Sequence, residues 1–263
     1  MSSVALHFRV FGTPVTVGPD IVIGLGVLGL LSRLWGIALA EWIALGFVAL
    51  LLHELGHAMA FRRYGVKSSI RFFLLGGLTV PDDPDAASQL THREMIVVPL
   101  AGPLVGLVLG GIMFGFWPVF QHAPSEVKTP MFIWAFVNLG WGIFNLMPIG
   151  SLDGGQILRN AAAAAIPGRG GVALGLASSL VASVVVALVA VAIHQVYVAL
   201  IAVVFGLADT SVYGQLRDAI FPAGGAGPAA EPDERPAAMD DQAGSAGPPD
   251  GSEQMWRRPP PGP

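Results

Sequence analysis

Long apolar runs, broken at intervals by a few charges, dominate the first 221 positions of the chain. A run of about 20 apolar residues is the length that crosses a bilayer as a helix. Residues 21–40, 42–61, 95–120, 131–152 and 172–193 read as such runs, with Arg33 interrupting the first. A sixth stretch, 196–208, is apolar but short and needs its flanks to span. The pattern predicts an all-α polytopic membrane protein with about six transmembrane helices, or five if one of these fails. Residues 68–81, SSIRFFLLGGLTVP, are too few to span. Their β-branched and aromatic residues around Gly76 and Gly77 predict a short membrane-associated β-hairpin or re-entrant loop, with a connector on the membrane surface as the plainer alternative. From Pro222 onward the pattern stops. Ten prolines, seven glycines and almost no large apolar residues there cannot bury a core, and a disordered tail is expected. The division is therefore a membrane-embedded domain over 1–221 and a disordered Pro/Gly/Ala-rich tail over 222–263, with no internal repeat.

Composition agrees with this reading. The chain is 53% hydrophobic and 12% charged, against roughly 25% charged in soluble domains. Its net charge of −4 belongs to the tail, because residues 1–221 hold eleven Lys/Arg and eleven Asp/Glu. No basic patch with interleaved aromatics is present, so nucleic acid is not an expected partner. There is no cysteine. That removes disulfides, thiolate nucleophiles and Cys-ligated metals, and leaves histidine and carboxylate as strong metal ligands. The first twenty residues lack a basic segment and a small-residue cleavage site, so the first span is expected to serve as the membrane signal. Arg62, Arg63, Lys67, Arg71 and Arg93 follow the second run, and Arg159 and Arg169 follow the fourth, whereas the alternate side holds Arg33 and Lys128. A multi-pass protein of the cell membrane is expected, with basic loops, both termini and the end of the second run cytoplasmic.

Residues 42–61, WIALGFVALLLHELGHAMAF, carry His53, Glu54 and His57 inside an apolar run. Each ionisable group at a helix centre costs about 2.5–3.5 kcal/mol on insertion scales. On a helix, His53 and His57 lie on one face at i and i+4, so both can point at one metal ion. Glu54 flanks that face, where it can reach a water on the metal and act as general base towards an amide carbonyl. H-E-x-x-H arises by chance in on the order of one chain in a hundred of this length, but a surface helix is where stray charges are tolerated. A catalytic zinc takes three protein ligands. Asp153, Glu94 and Asp209 lie at span ends, and His92, His122 and His194 lie at edges or in loops. Topology favours Asp153, because the second and fourth runs end on the same side and Pro148 and Gly150 must interrupt the helix before it. The plain alternative for Asp153 is a helix N-cap for GGQILRNAAAAA.

HELGHAMAFRRYG together with FNLMPIGSLDGGQIL resembles the site-2 protease family of intramembrane zinc metalloproteases, in its compact bacterial form without PDZ or CBS domains. That family pairs H-E-x-x-H on one span with N-x-x-P-x-x-x-L-D-G on a later one, here Asn145, Pro148, Leu152, Asp153 and Gly154. EMIVVPLAGPLVG is similar to the family's glutamate-led segment ending in A-G-P, LLGGLTVP to its glycine-rich strand, and FRVFGTPVTVGPDI to its first strand. The resemblance covers roughly residues 8–159. It implies one Zn2+ per chain, held by His53, His57 and Asp153, with Glu54 as general base. It also implies that Asn145 and the strand around Gly76 and Gly77 hold an unwound substrate, a transmembrane segment of another membrane protein in the lipid bilayer. Anti-sigma factors and precursor proteins are the substrate types implied; nothing bears on oligomeric state. Two departures bear on substrate positioning: Gly150-Ser151 stand where prolines are frequent, and Val105-Gly106 where an asparagine often follows A-G-P. The competing readings are a transporter or proton relay, an intramembrane protease with Glu94 as third ligand, and a non-catalytic membrane scaffold.

Overall fold

The computed structural model describes residues 5–74, 76–166, 169–192, 199, 202–204 and 206. Most of the sixth apolar stretch and the tail over 222–263 therefore lie outside the described residues, as do His194 and Asp209. The chain opens with a hairpin, β1 (Leu6–Val10) and β2 (Thr13–Val17), turning at Phe11 and Gly12 with φ of 49° and 85°. Two left-handed residues in a row are what a two-residue hairpin turn requires. Helix α1 (Asp20–Leu31) follows, then α2 (Gly36–Arg63). The run predicted at 21–40 is thus not one helix. Arg33 and Gly36 adopt φ of 60° and 59°, and the chain turns between α1 and α2. Twelve residues make about 18 Å of helix, too short for a hydrocarbon core of about 30 Å.

The remaining elements are β3 (Ser68–Phe73), β4 (Gly76–Pro81), α3 (Pro84–Ser88), α4 (Glu94–Gly115), α5 (Trp117–Phe120), α6 (Ser125–Asn145), α7 (Asp153–Ala165) and α8 (Arg169–Ala192). The hairpin predicted at 68–81 forms as β3 and β4, but it is half of a larger sheet. Strand order is β1-β2-β3-β4, with β2 and β3 parallel and the other pairs antiparallel. Alternation decides which face is covered. Val15, Val17, Ile70 and Phe72 are buried against Ile21 and Leu25 of α1 and Leu50, Leu55 and Ala58 of α2. Arg71, between Ile70 and Phe72, is exposed.

Among the described residues, three helices are long and apolar enough to cross a membrane: α2, α4 and, within α8, Ala173–Ala192. Helix α6 is of similar length, but Ser125, Glu126, Lys128 and Thr129 make its start polar. Lipid is as apolar as a leucine side chain, so membrane helices associate through close backbone packing. Glycines supply it here. A Cβ on Gly56 of α2 would lie 2.7 Å from Ala101 O of α4, and one on Gly106 of α4 would lie 2.8 Å from Asn138 O of α6. Helix α4 is thereby clamped between α2 and α6, with the H-E-x-x-H segment at its inner face.

Candidate metal centre

His53, Glu54 and His57 lie in the second half of α2, buried to 4%, 5% and 7% exposure. The fourth residue arrives from a break in the chain. Helix α6 ends at Asn145, and residues 146–152 turn through Met147 N to Phe144 O (3.1 Å), Ile149 N to Met147 O (2.8 Å) and Leu152 N to Ile149 O (2.8 Å). Ile149 is wholly buried and Leu152 nearly so, which pins the turn. Helix α7 then begins at Asp153. Its N-cap position is Leu152, with no side-chain cap, so the Asp153 carboxylate is not spent on capping. Gly154 and Gly155 explain how α7 comes so near: a Cβ on either would strike the carbonyls of Leu146 and Met147, or of Ile149. Arg159 ties the same turn to α7, donating from Nη1 to Gly150 O at 2.7 Å.

The three candidate ligand atoms converge. His53 Nε2 lies 3.1 Å from Asp153 Oδ2 and 3.1 Å from His57 Nε2, and His57 Nε2 lies 3.4 Å from Asp153 Oδ2. Ligand atoms held about 2.0–2.1 Å from a tetrahedral zinc stand about 3.3 Å apart, so the triangle has the edge lengths such an ion imposes. Among the described residues, this is the group of His, Asp and Glu side chains that could hold a metal. The tautomer fits as well. His57 Nδ1 donates to Val98 O of α4 at 2.8 Å, which leaves the lone pair on Nε2 facing the other two ligands. Gly102 of α4 completes the cradle, since a Cβ there would occupy the space beside both Nε2 atoms.

Glu54 lines the same cavity as the triangle and is held from the sheet. Thr79 Oγ1 on β4 donates to Glu54 Oε2 at 2.7 Å, and it also lies 3.1 Å from Glu54 O. Two residues earlier on the same face, Gly77 lies flat on the glutamate, where a Cβ would come within 2.5 Å of Glu54 Cγ. Gly76 has φ of 142°, open to glycine, and faces Trp141 rather than the cavity. Asn145 does line the cavity, and its Nδ2 donates to Trp141 O of its own helix at 3.0 Å. The cavity holds about 130 Å³, walled by Thr79, Met95, Gln156 and the four buried residues. That is room for an ion and a few waters, not for a helix about 10 Å across.

Glu94 is not part of the group. It accepts from Thr91 N and Thr91 Oγ1, both at 2.8 Å, at the exposed start of α4. His92 pairs with Asn160 instead (3.3 Å), and His122 lies in the turn after α5. Three contributors carried no role in the sequence reading: Thr79, Gly102 and the carbonyl of Val98. Gly102 stands in the A-G-P triplet and Thr79 in LLGGLTVP, so their segments were visible while their partners were not.

Comparison with known proteins places this geometry. The sequence profile of peptidase family M50 matches residues 41–124 and 117–190, which include all four buried site residues. A zinc metalloprotease of Methanocaldococcus jannaschii is 30% identical over 154 residues, 58% of this chain and 43% of that one. A relative from Synechocystis is 33% identical over 168 residues, 57% of this chain and 42% of its own. The matched part thus spans less than half the length of either relative. The solved structure of the site-2 protease from Methanocaldococcus jannaschii shares the fold, with a TM-score of 0.55 over 79% of this chain and 94% of that one at 22% identity.

Proposed function

The chain belongs to peptidase family M50, and from that premise we propose that it is a zinc metalloprotease that hydrolyses a peptide bond in or near a transmembrane segment of another membrane protein. The observation that carries this reading is the buried triangle of His53, His57 and Asp153, with edges of 3.1–3.4 Å and a carboxylate held beside it. Zinc bound there supplies Lewis acidity and brings the pKa of a water ligand to about 7. The side chains do the rest. His53 and His57 present Nε2, and Val98 O fixes the His57 ring. Glu54 accepts the proton of the attacking water and returns it to the amide nitrogen as the C–N bond breaks. Thr79 Oγ1, donating to Glu54 Oε2, holds one carboxylate oxygen so that the other is presented in one orientation.

A cavity of about 130 Å³ has no room for a helical substrate. Strand β4 is an edge of the sheet and borders Glu54, so a substrate unwound from its helix adds beside Gly76 and Gly77 with Asn145 opposite. Single-pass regulators such as anti-sigma factors, or precursor proteins, are the substrate class proposed. The enzyme is multi-pass in the cell membrane through its helices within residues 1–221. The basic segments after α2 and after Asn145, and with them the metal centre's nearer end, face the cytoplasm. The test is to purify the full chain, measure bound zinc, and assay cleavage of a synthetic transmembrane substrate. Glu54→Gln is expected to retain zinc and lose roughly 10²–10⁴-fold in rate. Cleavage that survives in Glu54→Gln would sink the mechanism.

A further inference from the structure

Away from the metal centre, a cleft of about 540 Å³ opens between the β1–β2 turn, the C-terminal end of α2 and the start of β3. Arg9, Arg62 and Lys67 line it, against one carboxylate, Asp82. Among the described residues the ion pairs within 4.0 Å are those of Asp153 with His53 and His57, so the three cations of the cleft have no acidic partner. Arg62 spends one N–H: Nη1 donates to Phe11 O at 3.0 Å and ties the turn to α2. Two guanidinium forks and an ammonium around one space suit a multi-oxygen anion, because the arginine fork matches phosphate geometry and lysine adds a point charge.

The surroundings narrow the ligand. Helix α2 is long enough to cross a membrane and closes on Arg62 and Arg63, which puts the cleft at a membrane boundary. Phe11 stands beside the cleft at 75% exposure, in a left-handed backbone that non-glycine residues seldom adopt. An exposed aromatic side chain beside a cationic cleft is an arrangement that meets an amphiphile with an anionic head. The volume is of the size that holds a small organic group rather than a bare ion. We propose that this cleft binds a phosphate-bearing anion through Arg9, Arg62 and Lys67, a chemistry that an anionic lipid headgroup and free phosphate share.

The experiment uses the full chain in zwitterionic detergent and titrates short-chain phosphatidylglycerol in one arm and inorganic phosphate in another, with binding read by native mass spectrometry. Each cation facing the bound headgroup is worth about fivefold in affinity, so Arg9→Gln with Lys67→Gln is expected to weaken phosphatidylglycerol binding about 25-fold. Asp82→Asn is expected to tighten it. Arg63→Gln, on the same helix end but outside the cleft, is expected to change it less than about twofold. Phosphatidylglycerol binding that millimolar phosphate does not displace assigns the site to the lipid headgroup; displacement by phosphate assigns it to the free anion. An unchanged affinity in the double variant, or an equal loss in Arg63→Gln, overturns the proposal. An unaltered melting temperature in each variant keeps the comparison one of binding.

Discussion

On α2, His53 and His57 sit one turn apart on an uninterrupted 28-residue helix; Asp153 is the first residue of a 13-residue helix that starts only after the chain has broken at 146–152. The first half of the centre gets its geometry from helix periodicity, which fixes two imidazoles on one face at no cost in strain. The second half gets its geometry from an interruption: Pro148 cannot continue the helix, and buried Ile149 and Leu152 hold the turn. Periodic structure places ligands relative to each other, whereas a packed break places a ligand relative to another helix. A metal centre between membrane helices needs both, because a regular helix alone presents one stripe to its neighbour. The two halves should therefore fail differently.

The largest effects come from the ligands themselves. His57→Ala and Asp153→Ala are each expected to lower zinc affinity by more than the roughly 10–100-fold that loss of an outer hydrogen bond costs, read by competition with a chelator. Full zinc binding in the Asp153 variant would break the comparison, since α7 would then contribute nothing to the metal. Next come the glycines that seat each half. Gly56→Ala presses on Ala101 O and Gly102 of α4, and Gly155→Ala presses on the Ile149 carbonyl. Both lower the melting temperature, because a backbone neighbour cannot rotate aside. They differ at the metal. Gly56→Ala shifts both histidines against the Val98 and Gly102 side of the cradle, and Gly155→Ala shifts Asp153 alone. The expected order of zinc affinity is wild type, then Gly155→Ala, then Gly56→Ala, and the reverse order would count against the assignment of roles.

These two halves were not equally legible. His53, Glu54 and His57 announce themselves through spacing inside an apolar run, because period and polarity are both local properties. Asp153 could be favoured through the break at Pro148 and Gly150, but its partner across 100 residues could be named only once chain topology was argued. Helix limits were less visible. Residues 21–40 read as one apolar run interrupted by Arg33, and a single charge does not by itself distinguish an interrupted span from a turn between two helices. The hairpin at 68–81 was legible from β-branched residues around two glycines; its parallel pairing with β2 through Val15 and Ile70 was not, since register between distant strands leaves no mark in either one. Thr79 is the instructive miss. Alternation tells which face of β4 it occupies, but that Glu54 lies under that face follows from how the sheet sits on α2.

Thr79 gives the next prediction in size. Its hydroxyl is the hydrogen-bond donor to Glu54 Oε2 in the described structure, so Thr79→Val removes the bond while keeping the shape. The rate constant for cleavage is expected to fall about tenfold, the lower end for an outer-sphere hydrogen bond, with zinc content unchanged. Thr79→Ser, which keeps the hydroxyl, is expected to recover most of the loss. A Thr79→Val enzyme that loses zinc instead would mean that β4 supports the ligands rather than the base.

The smallest effect at the metal is expected where the support is backbone. His57 Nδ1 donates to the carbonyl of Val98, not to its side chain. Val98→Ala removes two methyl groups from the cluster with Ala60, Phe61 and Val66, and should cost stability on the order of 1–2 kcal/mol as a partly relaxed cavity. The carbonyl remains, held in α4 by the helix around it, so the His57 tautomer and the Nε2 lone pair remain as well. Zinc affinity should then change by less than about threefold, an energy below roughly 0.7 kcal/mol and well under the outer-sphere range. A side chain that packs and a carbonyl that orients can belong to one residue and still be separable by mutation. A tenfold or greater loss of zinc in Val98→Ala, at a temperature where the protein stays folded, would show that they are not separable here and that the α2 half depends on the exact seating of α4.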